Sequence, residues 1–342
     1  MEETHGGGTS PVHRVAVIGL GTMGAGVAQA LAEHVSVRGY DPVPGALRRA
    51  EQQITNDLRL RRLLSKDRAV EPEVMWARMS LSAELGVVAD ADFVIECGPE
   101  KVDVKSDLFR RLDEVVGAHA VFASNTSAIP ITRLASHTGR PDRVLGMHFM
   151  NPVAMKRTVE VIRAVHTSEE TVDTALRLLS VIGKRGVVVG DAPGFVSNRV
   201  LMPAVNEAAF LLLEGTAEAA TVDQIFRECL GHPMGPLETA DLIGLDVVLD
   251  SLEVLYEHYR DPKFRPCPLL TKLVYAGHYG RKSGKGFHVY GSGTTSGAAA
   301  TATGMRRGPP RPHDPPPELL IQRVASARRA CNVAEELPPG ND

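Results

Sequence analysis

Four short stretches of this chain carry side chains suited to moving a proton and holding an oxygen anion. They are Ser124-Asn-Thr-Ser127, His148-Phe-Met-Asn151-Pro152, Val159-Glu160-Val161 and Pro193-Gly-Phe-Val-Ser-Asn198-Arg199. Taken alone, His148 reads as readily as a satisfied structural group as a proton carrier. Glu160 is more telling: a carboxylate between two valines of an apolar strand needs a partner, because burying it unpaired is expensive. Ser127 and Asn198 offer donors, yet each could equally cap a helix or brace a loop. Every stretch falls near the end of a predicted strand or the start of a helix, where open α/β sheets form their binding crevice.

A fifth stretch suits a phosphate. Val15-Ala-Val-Ile18 runs into Gly19-Leu-Gly21-Thr22-Met23-Gly24, and Ala25-Gly-Val-Ala-Gln-Ala-Leu-Ala32 follows at helical period. In a strand-loop-helix of this form Gly19 makes the tight turn, Gly21 admits a pyrophosphate to the backbone, and Gly24 lets the helix lie close on the strand. The free N–H groups and positive dipole end of the helix then face the anion. Asp41 ends a second predicted strand 17 residues beyond Gly24. There a carboxylate accepts the adenosine ribose hydroxyls and repels a 2′-phosphate, so NAD rather than NADP is the expected cofactor. Hydride moved at such a site needs a proton managed beside it, which draws the four polar stretches into one hypothesis.

The elements that position these residues are legible in the periodicity. Short β-branched runs at Val15–Ile18, Val35–Val37, Phe93–Ile95, Ala120–Phe122, Val144–Gly146, Val159–Ile162 and Val187–Val189 alternate with helical patterns. This predicts an α/β fold, with a Rossmann-type, mostly parallel sheet over 11–190. After Asp191-Ala-Pro-Gly194 the period turns helical, with Thr221-x-x-Gln224 as a capping box and Pro236 opening a helix after Gly235. An all-helical C-terminal domain is expected over 191–290. Residues 291–342 read as a low-complexity tail: GSGTTSGAAATATGMRRGPPRPHDPPP buries too little apolar area to order itself, and the helical pattern beyond it, at Glu318–Leu337, has an apolar face too small to stand alone. The first ten residues, with Gly6-Gly7-Gly8, read as a flexible lead-in.

Composition narrows the class. Among 342 residues, 38 Lys plus Arg against 41 Asp plus Glu leave a net charge of -3, with no basic excess for nucleic acid or anionic lipid. No apolar run approaches the roughly 18 residues that span a bilayer, and MEETHGGGTS lacks the regions of a signal peptide, so a soluble, cytoplasmic protein is expected. Cys97, Cys229, Cys267 and Cys331 have no C-x-x-C spacing, and neither a metal site nor a disulfide framework is expected.

From about Val12 to Tyr290 the chain resembles the 3-hydroxyacyl-CoA dehydrogenase family. The matching segments are VAVIGLGTMGAGVAQALA, FASNTSAIPITRLA, RPDRVLGMHFMNPV, VEVIRA, DAPGFVSNRVLMP, GHPMGPLETADLIGLD and GRKSGKGFHVY, in order and at matching spacing. The resemblance implies an NAD-binding domain, a helical domain that makes a homodimer contact, and an active site between them that oxidises or reduces a 3-hydroxyacyl thioester. It implies His148 as catalytic base, Glu160 as its orienting partner, and Ser127 and Asn198 as the groups holding the substrate oxygens. It implies cofactor contacts at Gly19, Gly21, Thr22, Met23, Gly24, Asp41, Glu100, Lys105, Asn125, Ser127 and Asn151, with Glu96, Glu100 and Lys105 lying in IECGPEKVDVK.

Two departures bear on the substrate. Met155-Lys156-Arg157-Thr158 replaces a more apolar family pattern beside Glu160, which suits a short or hydroxylated acyl group. In the segment Gly45 to Lys66, Asp57 stands where the family has a hydroxyl near the CoA phosphates, among Arg48, Arg49, Arg59, Arg61, Arg62 and Lys66. That cluster predicts either ordinary CoA phosphate binding or docking of an acidic acyl carrier protein at Arg59, Arg61, Arg62 and Lys66. Two rival classes are a β-hydroxyacid dehydrogenase and a non-catalytic NAD(H) sensor. The first needs a helix lysine, and none falls between Arg185 and Lys263; the second is opposed by Ser127, His148, Glu160 and Asn198 occurring together.

Overall fold

The computed structural model describes residues 12–64 and 71–290, with 60–64 as backbone only. The expected lead-in, the tail and its helix lie outside the described residues. Strands β1 (Arg14–Ile18), β2 (Ser36–Tyr40), β3 (Met79–Ser82), β4 (Phe93–Glu96), β5 (Val121–Ser124), β6 (Val144–His148), β7 (Thr158–Arg163) and β8 (Arg185–Gly190) form one sheet in the order β3-β2-β1-β4-β5-β6-β7-β8. Helices α1 (Thr22–Ala32), α2 (Ala46–Leu64), α3 (Pro72–Ala77), α4 (Val102–Val115), α5 (Ile131–Ala135) and α6 (Glu169–Val181) connect them. β3 is the strand that the β-branched runs did not reveal. Among the described residues it pairs only with β2, and its residues are part-exposed or exposed, so Met79-Ser-Leu-Ser82 needs no apolar run.

Alternate side chains of the central strands enter two separate cores. Val15 and Val17 pack with Val27, Leu31 and Ile54, whereas Ala16 and Ile18 pack with Phe109 and Leu112 of α4. Helices on both faces explain why these strands are apolar throughout rather than alternating.

Neighbouring strands are parallel with a single exception. β6 and β7 run antiparallel, which sets His148 directly opposite Glu160. The loop 149–157 achieves that reversal, where a parallel return would need a crossover of about a dozen residues or more. α6 then carries the chain back to a parallel β8.

From Ser197 onward helices dominate: α7 (Ser197–Leu213), α8 (Ala219–Glu228), α9 (Pro236–Ile243), α10 (Leu245–Tyr259) and α11 (Pro268–Tyr275), of which α7, α9, α10 and α11 build a core around Met202, Val205, Leu252, Leu255 and Phe264, and α8 packs its Val222 with Ala208 and Leu237. Pro236 opens α9 directly after Gly235, as expected. Thr221-x-x-Gln224 is not a capping box. Ala219 and Ala220 are strong helix formers, so α8 already begins at Ala219 after Glu218, and Gln224 instead donates forward to Glu228. The last described segment folds back over these helices: buried Asp241 accepts the amides of Phe287 and His288 and the Tyr290 hydroxyl, and buried Asp223 meets His288 Nε2 at 2.7 Å. Among the described residues, no helix is long and apolar enough to cross a membrane.

Candidate active site

The sheet order diverges between β1 and β4, and a cavity of about 880 Å³ opens there, lined by Gly19, Gly21, Thr22, Met23, Asp41 and Gly98 among others. This is the crevice position at which open α/β sheets bind ligands. Gly19 has φ of 84°, and a Cβ on Gly24 would fall 1.8 Å from the Gly19 carbonyl oxygen. Only glycine therefore lets α1 lie this close to the loop. A Cβ on Gly21 would meet nothing within 4 Å, so the middle of the loop is open to a pyrophosphate. Asp41 is 8% exposed; Oδ2 accepts the Leu20 amide at 2.8 Å and Oδ1 the Val43 amide at 2.9 Å. Each carboxylate oxygen retains a lone pair for a ribose hydroxyl. Loop, helix terminus and acid thus fit NAD.

Because Asp41 also braces two amides, Asp41→Ala would disturb the loop as well as remove the charge. Asp41→Asn removes the charge while keeping an acceptor for the Leu20 amide, and gives up only the bond from Val43. We expect the KM for NAD to rise about tenfold and the preference over NADP to narrow by at least as much. Steady-state kinetics with both cofactors measure this, and an unchanged preference would contradict the role of Asp41.

Of the acids and bases expected near the cofactor, Lys105 is placed differently from the rest. Its ammonium is fully buried beneath the loop after β4, 2.8 Å from both oxygens of fully buried Glu96 and 3.2 Å from the Gly98 carbonyl. Glu96 also accepts from the Ser124 hydroxyl at 2.6 Å and the Gly98 amide at 2.6 Å. Glu100 bridges the two loops: Oε2 lies 3.6 Å from the Lys105 ammonium, while Oε1 accepts the amides of Ser127 at 2.9 Å and Ala128 at 3.1 Å, and the Thr126 hydroxyl. Asn125 Oδ1 accepts the Phe149 amide at 2.8 Å, joining the Ser127 loop to the end of β6. Asn151 is exposed in the following loop, near Met155, Lys156 and Arg157, which are also exposed. Lys184 pins this loop by donating to the carbonyls of Val153 and Lys156.

The four polar stretches converge. His148 Nδ1 lies 2.8 Å from Glu160 Oε2, His148 Nε2 lies 3.3 Å from Ser127 Oγ, and Asn198 Nδ2 donates to the Ser127 carbonyl at 3.2 Å. Both members of the His–Glu pair are nearly buried, at 6% and 9% exposure. Glu160 also accepts from the α7 N-terminus: Oε1 takes the amides of Val196 at 3.2 Å and Ser197 at 3.0 Å, and Oε2 takes the Ser197 hydroxyl at 2.7 Å. A reversal at Gly194 (φ 77°) and Phe195 (φ 47°) aims those amides at Glu160 and packs the Phe195 ring 5.8 Å from His148. A left-handed phenylalanine costs on the order of 1–3 kcal/mol, which surrounding contacts must hold in place. Sequence reasoning had singled out Asn198 but not Ser197. The available signal was a hydroxyl residue opening a helix next to a candidate site.

Burial alone would raise the Glu160 carboxyl. The hydrogen bonds from His148 and from the Ser197 hydroxyl and amide outweigh burial and lower it to about 2. Glu160 is therefore ionised and only accepts, so His148 carries its neutral-state proton on Nδ1 and turns a bare Nε2 toward Ser127. A lowered carboxyl stabilises the fold above its unfolded value of 4.5, and that stability is lost as pH falls toward about 2. Compared with Glu160→Gln in urea titrations, the wild-type advantage is expected to shrink by about 2 kcal/mol between pH about 6 and about 3. A pH-independent difference would contradict the ionised pair.

Comparison with known proteins identifies the family. Residues 14–192 match the family model "3-hydroxyacyl-CoA dehydrogenase, NAD binding domain", and residues 194–290 match "3-hydroxyacyl-CoA dehydrogenase, C-terminal domain". The chain is 45% identical over 286 residues to a probable 3-hydroxybutyryl-CoA dehydrogenase of Bacillus subtilis, covering 82% of this chain and 98% of that relative. Among solved structures, FadB2 of M. tuberculosis superposes with a TM-score of 0.80 at 36% identity, covering 82% of this chain and 100% of that one. The (S)-3-hydroxybutyryl-CoA dehydrogenase of Ralstonia eutropha does so with a TM-score of 0.77 at 38% identity, with the same coverage. With both halves matched, the chain belongs to the 3-hydroxyacyl-CoA dehydrogenase family and is an NAD-dependent oxidoreductase.

Proposed function

We propose that the protein oxidises the C3 hydroxyl of a short or polar 3-hydroxyacyl-CoA, of the 3-hydroxybutyryl type, and catalyses the reverse reduction. The observation that carries this reading is the buried His148–Glu160 pair, with the Ser127 hydroxyl at the bare Nε2 and Asn198 bonded to the Ser127 carbonyl. NAD, when bound, supplies the hydride acceptor. His148 Nε2 takes the hydroxyl proton during oxidation and returns it during reduction. Glu160 holds Nδ1–H, fixes the tautomer and stabilises the imidazolium. The Ser127 hydroxyl and the second N–H of the Asn198 amide are donors for oxygen at C3 or the thioester carbonyl, where negative charge gathers. Gly19–Gly24 and Asp41 seat the cofactor, and Glu100 and Asn125 hold the Ser127 loop in register with β6.

Relatives named for 3-hydroxybutyryl-CoA and the exposed Lys156 and Arg157 near the site both support a small acyl group. A chain-length series of 3-oxoacyl-CoA thioesters, read by NADH absorbance, tests this: kcat/KM should be greatest for the shortest members. Preference for long chains would overturn the proposed specificity. NADH binding without turnover on any member would favour a non-catalytic sensor.

A second reading draws on α2, which exposes Arg48, Arg49 and Arg59. The side chains of Arg61 and Arg62, and Lys66 as a whole, lie outside the described residues. An acidic acyl carrier protein docked there would present the same thioester. Turnover of one acyl group on both carriers separates the readings, since a CoA preference untouched by Arg59→Ala would remove the carrier protein. A homodimer, as the family resemblance implies, is the expected assembly, which sedimentation would check.

A further inference from the structure

We propose that Ser197 is a positioning residue that sets the basicity of His148 through Glu160. The Ser197 hydroxyl and His148 Nδ1 share one acceptor, Glu160 Oε2, at 2.7 and 2.8 Å, while the amides of Val196 and Ser197 occupy Oε1. All four lone-pair positions of the carboxylate are thus in use. A carboxylate whose charge is divided in this way holds an imidazolium less tightly than one whose oxygen serves the ring alone. The serine hydroxyl therefore competes with His148 for Glu160 and keeps the imidazole a weaker base.

The groups around the pair leave this competition undisturbed. From the loop after β5, His148 meets the neutral Ser127 hydroxyl; from the turn before α7, the Phe195 ring; from β7, Glu160. Among the described residues, no other titratable group lies within hydrogen-bond reach of His148 or Glu160. Glu100, the charge on the neighbouring loop, is engaged by the amides of Ser127 and Ala128 and by the Lys105 ammonium at 3.6 Å. The lowered Glu160 carboxyl agrees with a site saturated by donors.

Ser197→Ala leaves Oε2 to His148 alone, so the imidazolium gains and its pKa rises. Oxidation needs the neutral ring: its kcat/KM acid limb should move up by about half a pH unit, an approximately threefold loss at fixed pH below the limb. Reduction needs the imidazolium and should persist to higher pH by the same interval. Ser197→Thr, which restores a hydroxyl, should return both profiles toward wild type. If the alanine variant unfolds, Ser197→Cys offers a similar volume with a weak donor and should shift the profile in the same direction.

This inference rests on His148 being the proton carrier, so its test includes a readout without turnover. NMR titration of the His148 ring in the cofactor-free protein should show the same upward shift in Ser197→Ala. An unshifted ring, or a uniform loss of rate without movement of the limb, would overturn the role of Ser197. Wild-type turnover in His148→Gln would instead remove the assignment beneath it.

Discussion

His148→Gln is expected to lower the turnover number by about 10²- to 10⁴-fold while leaving NAD affinity close to wild type. Glutamine preserves polarity and can still donate to Glu160, so the pocket has no uncompensated carboxylate to drive its collapse. It cannot take up and return a proton at the position of Nε2. The nucleotide cavity is built from the loops after β1, β2 and β4, and His148 is absent from its wall. Affinity for NADH, read by its fluorescence, should therefore be spared while absorbance assays report the loss. Equal losses in affinity and turnover would indicate a collapsed site rather than a missing proton carrier.

Lys105→Met is expected to destabilise the fold by about 3–5 kcal/mol, because it strands a fully buried carboxylate. In the wild type Glu96 has two contacts to the ammonium, plus the Ser124 hydroxyl and the Gly98 amide. Methionine removes the charge partner and the donor to the Gly98 carbonyl, loosening the loop that forms one wall of the cofactor cavity. The double variant Lys105→Met with Glu96→Gln should recover much of the loss, since no charge is then buried alone. Urea denaturation of the two single variants and the double variant measures the coupling. Losses below about 1 kcal/mol in both singles would contradict a tightly paired interior ion pair. The stability effect also separates Lys105 from groups that touch the cofactor directly, whose loss would mainly change KM.

Much of the site was legible because it depends on residue type and local punctuation. The glycine loop between an apolar strand and a small-residue helix, with Asp41 after the next strand, announces its own geometry. Glu160 was conspicuous as a carboxylate in a strand that could not tolerate it unpaired, and the structure supplies the partner through one antiparallel pairing. That pairing was not legible. Alternating strands and helices predict parallel neighbours, and only the missing helical pattern between His148 and Thr158 hints at a direct return.

The rest depended on tertiary context. Lys105 sits in a charged helix whose pattern resembles a solvated face, yet its side chain turns inward to Glu96. Ser197 looked like a residue beside the important one, because its partner comes from a strand 37 residues away. Thr221 fitted a capping pattern, but two alanines before it extend α8 past the expected start. β3 lacked β-branched residues because an edge strand can be half-exposed on both faces. In each case local spacing was a fair guide to the element and a poor one to the partner.

The most direct test of the account is NADH consumption by the purified protein with acetoacetyl-CoA, run beside His148→Gln and with NADPH as the alternative cofactor. The account predicts wild-type turnover in the usual enzymatic range of about 1–10³ s⁻¹ with NADH, a strong preference over NADPH, and a loss of at least about a hundredfold in the variant. Bound NADH that no short 3-oxoacyl-CoA consumes, or a variant that keeps pace with the wild type, would contradict it.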